Sequence, residues 1–133
     1  MGYLIDSSVF IAWERGRITD DEFAHRAGDE ELMLSAITAS ELLHGVHRAD
    51  SAQRRGRREE FVERILGSLD VLPADLQVAR IHSRVWADLR SRGETIGAHD
   101  LWIAATALAH GLRLATRNPR EFSRVDGMTF ETW

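Results

Sequence analysis

Apolar residues along this chain fall into two kinds of run, and the two alternate. Short blocks at Tyr3-Leu4-Ile5, Leu32-Met33-Leu34, Val71-Leu72, Leu112-Arg113-Leu114-Ala115 and Met128-Thr129-Phe130 are bounded by turn residues and predict strands. Between them the apolar positions keep helical spacing. Val9 to Glu14 predicts a helix broken by Gly16, and Thr19 caps a second that runs to about Ala27, where Gly28 ends it. A third starts at Ile37 with Thr38 as its cap and continues through Leu42, Leu43 and Val46. A fourth spans Ser51 to Gly67, turning Phe61, Ile65 and Leu66 inward. Asp75 caps a fifth, marked by Val78, Ile81, Val85 and Leu89. Asn118 caps a short last helix with Pro119 at its first position. Strands alternating with helices predict an α/β fold. The expectation is one domain over residues 1–133, with a central parallel sheet of four to five short strands flanked by helices and Met128–Phe130 at an edge.

The most apolar stretch, Ala98 to Gly111, has Leu101, Ala104, Ala105 and Leu108 at helical spacing and a glycine where a left-handed residue ends helices. An aspartate, Asp100, stands at its head. Other polar residues take similar positions. Asp6 ends the first strand, Glu41 lies in the first turn of an apolar helix, and Asn118 and Glu121 follow the fourth strand. Each has a local explanation. Asp6 can cap the helix that follows, Thr38 and Glu41 have capping-box spacing, Asp100 suits a helix dipole, and Asn118 and Glu121 repeat the capping-box spacing. In open parallel sheets, however, ligands bind beyond the carboxyl ends of the strands, which is where Asp6 and Asn118 fall. If the helix starts face the same crevice, three carboxylates converge, and such a group repels itself unless a cation intervenes. Hard oxygen ligands of this kind suit Mg²⁺ or Mn²⁺, which can activate water against a phosphodiester.

Composition narrows the chemistry. There is no cysteine, which excludes disulfides and thiolate metal sites, and all 17 basic residues are arginine, which excludes P-loop, Schiff-base and receiver-type phosphoacceptor chemistry that needs lysine. No signal peptide opens the sequence and no apolar run approaches membrane-spanning length, so a cytoplasmic protein without a membrane role is expected. The net charge of -4 does not advertise nucleic-acid binding, so a polyanion needs local arginines or bound cations. Residues 48–64 hold six arginines against four acids, either a guide for RNA phosphates or a solvated face paired with Glu59, Glu60 and Glu63. Trp13, Trp86 and Trp102 read as core or dimer contacts. Two E-x-x-H patterns, at Glu22–His25 and Glu41–His44, lack the long bundle helices a di-iron site requires.

Four segments together resemble the PIN domain, and more narrowly the VapC-type toxins of VapBC toxin–antitoxin systems. They are Tyr3-Leu4-Ile5-Asp6-Ser7-Ser8, Ile37-Thr38-Ala39-Ser40-Glu41-Leu42, Arg92 to Asp100 continuing into Ile103 to Ala107, and Leu114 to Asn118 with Glu121-Phe122. The resemblance implies a Mg²⁺- or Mn²⁺-dependent endoribonuclease with Asp6, Glu41 and Asp100 as metal-binding catalytic acids. It also implies a homodimer and inhibition by a cognate antitoxin, with assembly into a larger toxin–antitoxin complex. Many PIN domains carry a fourth acid after the fourth strand. This chain has Asn118 there, so either Asn118 or Glu121 takes that place. Ser7 and Thr116 are expected to hydrogen-bond the carboxylates, and Arg117 and Arg120 to contact substrate. The alternative function is a PIN-like module that binds RNA or a partner without cutting.

Overall fold

In the computed structural model, which describes residues 2–133, β1 (Tyr3–Ile5) is the middle strand of the sheet, and its side chains divide between two cores. Tyr3 and Ile5 join one apolar cluster and Leu4 the other, as the two-residue period of a strand requires. The chain continues through α1 (Ser7–Glu14), α2 (Asp20–Ala27), β2 (Leu32–Ser35), α3 (Ala36–His47), α4 (Ala52–Ser68) and β3 (Asp70–Leu72). It then forms α5 (Leu76–Ser91), α6 (Ala98–His110), β4 (Arg113–Thr116), α7 (Pro119–Phe122) and β5 (Phe130–Thr132). The five strands run in the order β3-β2-β1-β4-β5, and every pairing is parallel. Residues of α1 to α4 pack on one face with Trp133, and residues of α5, α6 and α7 on the other. β1, β2 and β4 have helices on both faces, which is why their sequences are apolar without alternation. Among the described residues no helix is long and apolar enough to cross a membrane.

Two caps match their sequence signatures. Thr19 and Glu22 form a reciprocal capping box, and Gly111 ends α6 at φ 63°, ψ 33°. The cap of α3 differs from expectation. The helix begins at Ala36, and the side chain of Ser35 accepts the amide of Thr38 at 3.0 Å, because β2 passes straight into the helix with Ser35 still extended. Thr38 is therefore a fully buried helical residue and forms no capping box with Glu41. Ser35→Ala should cost about 1 kcal/mol, read as a lower urea midpoint at unchanged slope. The last strand lies two residues later than the apolar pattern suggested. Its register is set by pairing, with Leu114 opposite Phe130 and Thr116 opposite Thr132.

The tryptophans separate. Trp13 stacks on Phe23 at 4.0 Å between ring centroids and donates to Asp20, and Trp133 packs edge-on against Tyr3 and Phe23 in the core. Trp102 stacks on His82 at 3.8 Å, and Trp86 is exposed beside them. The arginines of α4 do not pair with Glu59 or Glu63. Arg58 instead reaches Glu14 on α1 at 3.1 Å and the carbonyl of Gly45 at 2.9 Å, tying three helices together.

Candidate active site

The strand order reverses at β1, with β2 on one side and β4 on the other, and the carboxyl ends of β1 and β4 open together on a crevice. Asp6 leaves β1 there. It occupies the cap position of α1 but makes no side-chain cap bond. Its buried carboxylate accepts instead from the Ser8 hydroxyl at 2.6 Å and the Thr116 hydroxyl at 2.9 Å. Those hydroxyls accept in turn from backbone amides, Ser8 from Arg117 and Thr116 from Asn118, both at 3.0 Å. A closed set of hydrogen bonds thus fixes Asp6 across 110 residues of sequence. The serine on Asp6 is Ser8 rather than Ser7, which is buried at the first position of α1. The sequence offered two adjacent serines, and only the entry angle of α1 chooses between them. Thr116→Val keeps the shape but removes a hydrogen bond to a buried carboxylate. If Asp6 is a metal ligand, metal affinity or activity should drop about 10- to 100-fold, measured by Mg²⁺ titration of cleavage.

Asp100 sits in the first turn of α6, whose cap residue Gly97 has no side chain to offer. Glu121 fills that role from α7, accepting the Gly97 amide at 3.1 Å. The expected Asn118/Glu121 capping box is absent. Asn118 makes no side-chain cap bond, and Glu121 turns to α6 because α7 packs beside the start of that helix. Burial pushes the Asp100 carboxyl up to about 7, helped by a hydrogen bond with Glu121 and by the charges of Asp6, Glu121 and Glu41. The same hydrogen bond holds the Glu121 carboxylate below its ordinary range, with the Gly97 amide and Arg124 assisting.

Glu41 comes from the second turn of α3, not the first, since the helix starts at Ala36. Its Oε2 lies 3.5 Å from Nδ1 of the exposed His99, while its Oε1 is buried without a hydrogen-bond partner. A buried acceptor left unpaired costs about 1–3 kcal/mol, and more when charged. Among the described residues no three acidic or histidine side chains are grouped closely enough to hold a metal ion as they stand. The set is open, with Asp6, Glu41, Asp100 and Glu121 close enough for their charges to raise the Asp100 pKa. An unpaired carboxylate oxygen and an acid raised by burial and by neighbouring carboxylates fit a hard divalent cation, which keeps several waters and takes few protein oxygens.

The predicted arginines are both exposed beside this set, the Arg117 amide donating to Ser8 and Arg120 preceding Glu121. Arg117 donates its guanidinium to the carbonyl of Trp133 at 3.0 Å, because the end of β5 runs alongside, and Arg120 is exposed on α7. The approach of the exposed His99 to Glu41 has no signal in the sequence beyond its place beside Asp100.

Fold and crevice together define an α/β domain of the PIN type, and the family model described as PIN domain matches residues 3–128. Ribonuclease VapC1 of Rickettsia felis is 35% identical over 128 residues, covering 96% of this chain and 93% of the relative. The tRNA(fMet)-specific endonuclease VapC of Salmonella typhimurium is 33% identical over 131 residues, covering 98% and 97%. A crystal structure of DNA-bound VapBC from Salmonella typhimurium contains a chain that superposes with a TM-score of 0.87 at 27% identity, covering 100% of this chain and 98% of that one. The chain belongs to the PIN-domain family, in its VapC branch.

Proposed function

We propose that this chain is the toxin of a type II toxin–antitoxin pair, a divalent-metal-dependent endoribonuclease that hydrolyses RNA phosphodiesters. Asp6, Glu41 and Asp100 hold the metal, and Glu121, rather than Asn118, takes the place of the fourth acid. The observation that carries this reading is the crevice itself. Four carboxylates meet at the switch point of the sheet, one with a buried unpaired oxygen and another pushed up to about 7. The names of the VapC relatives, both of them nucleases, support the reaction class.

When bound, Mg²⁺ or Mn²⁺ supplies charge neutralisation at the phosphate and an acidified water. The protein's part is positional. Ser8 and Thr116 orient Asp6, and the Gly97 amide orients Glu121. Asp100, its carboxyl raised by burial and by the neighbouring acids, would hold the metal with Asp6 and Glu41. The carboxylates hold the metal and do not attack the substrate. An antitoxin segment that fills the same crevice, offering arginine to the acids, would block it. The VapBC complex of Salmonella typhimurium supports a partner of that kind. A homodimer is part of the proposal.

The test is incubation of total cellular RNA, and separately of single-stranded DNA, with the purified protein in Mg²⁺, in Mn²⁺ and after chelation. Discrete RNA fragments that vanish on chelation and return with metal are expected. Undiminished cleavage after metal stripping overturns the metal role. RNA left intact under all conditions, with binding retained, favours the non-cleaving module.

A further inference from the structure

The arginines near α4 divide into those already paired and those that are not. Arg54 pairs with Asp50 at 3.1 Å, Arg64 with Glu60 at 3.4 Å and Arg58 with Glu14 at 3.1 Å. Among the described residues Arg55 and Arg57 of α4 have no carboxylate partner, Arg55 reaching only the Ala49 carbonyl, and neither have Arg15 and Arg48, both exposed. They come from different elements, Arg15 closing α1 and Arg48 closing α3, yet both line one groove of about 190 Å³. A helix C-terminus favours a cation at each position. It does not explain why two unpaired guanidinium groups share a groove.

The other charged residues of the groove are Glu14, Arg58 and Glu41. Glu14 and Arg58 neutralise each other. What remains is two free positive charges along the groove and, lining it with them, Glu41, one of the crevice acids. A chain of net charge -4 with four carboxylates at its crevice repels a polyanion unless cations stand beside its path. Guanidinium groups suit phosphate because their planar fork presents two donors at once.

We propose that this groove carries the RNA backbone to the carboxylate crevice, Arg15 and Arg48 each holding a phosphate that flanks the one cleaved beyond Glu41. The inference rests on the ribonuclease reading and adds a substrate path and two positioning residues to it. The path runs between α1, α3 and α4 and does not include the Arg117 and Arg120 expected from sequence.

The experiment measures binding of a short, mixed-sequence, fluorescently labelled single-stranded RNA at constant Mg²⁺ with NaCl varied. Asp100→Asn serves as background so that bound RNA stays uncut. Arg15→Gln with Arg48→Gln should reduce the slope of log Kd against log salt by about 1.4, or about 0.7 for each phosphate no longer neutralised. Lysine at both positions should restore most of the slope, and Arg54→Gln with Arg64→Gln should leave it unchanged. In the cleaving background the double glutamine variant should raise KM far more than it lowers kcat. An unchanged slope overturns the proposal. So does loss of binding to poly-glutamate with RNA binding intact, which assigns the groove to an acidic protein instead. Failure of the ribonuclease reading is separately visible, because the wild type with both arginines would then leave RNA uncut whatever the slope.

Discussion

Asp100→Asn should leave the protein folded and lower RNA cleavage by about 100- to 1,000-fold, since a bound cation contributes several kcal/mol to a phosphoryl transition state and about 1.4 kcal/mol is a decade of rate. Discrete fragments from total RNA with wild type and none with the variant, at matched circular dichroism spectra, are the expected result. Full activity in the variant would remove Asp100 from the mechanism. A pH signature goes with it. The Asp100 carboxyl stands at about 7 in the folded protein against an ordinary 3.8. A raised acid favours the folded state while it is protonated, so its contribution is fully present below about pH 4 and is lost as pH rises through 7. The metal-free wild type should therefore lose thermal stability between pH 5 and pH 8, measured by calorimetry. The asparagine variant, which cannot ionise, should lose less. Mg²⁺ at pH 8 should recover stability for the wild type and not for the variant.

The second large effect is structural. Phe122 is fully buried among Leu4, Leu114 and Ile103, and it anchors α7, a helix of four residues with no stability of its own. Phe122→Ala should cost about 3–5 kcal/mol, a large part of the about 5–15 kcal/mol by which a domain of this kind is stable. Urea denaturation should show it as a lower midpoint. The loss should reach the site as well, because Glu121 precedes Phe122 and caps α6 beside Asp100. Under conditions where the variant is still folded, cleavage should fall and the Mg²⁺ requirement should rise. Phe122→Leu, which keeps most of the buried volume, should retain activity. Equal activity per folded molecule in the alanine variant would mean that α7 does not position Glu121.

Much of the fold was legible in the sequence because the signals involved are short-ranged. The Thr19 cap, the Asp75 cap and the left-handed Gly111 are set by hydrogen bonds spanning three or four residues, and each is present. Strands alternating with helices announced a parallel sheet flanked by helices. Where two local signals compete, the sequence could not choose. Ser35 and Thr38 both qualify as caps for α3, and the choice fell to where β2 stops pairing with β3, at Ser35 opposite Leu72. With Ser35 as cap, the capping-box account of Glu41 disappears and its carboxylate is free for the crevice.

The acids themselves could be picked out by position, since Asp6 follows a strand and Asp100 begins a helix. The groups that support them could not. Ser8 rather than Ser7, Glu121 reaching Gly97, His99 beside Glu41 and Trp133 against Tyr3 depend on elements brought together from distant parts of the chain. So do the free Arg15 and Arg48, because a charge counts as unpaired only once its neighbours in space are known. The sequence by itself determined the strand and helix alternation, the parallel sheet and the candidate acids, because backbone hydrogen bonding and apolar periodicity act over a few residues. Only the tertiary structure decided which hydroxyls, amides and carboxylates meet, because strand order places residues 110 apart within 2.9 Å while leaving near neighbours in the chain on opposite faces.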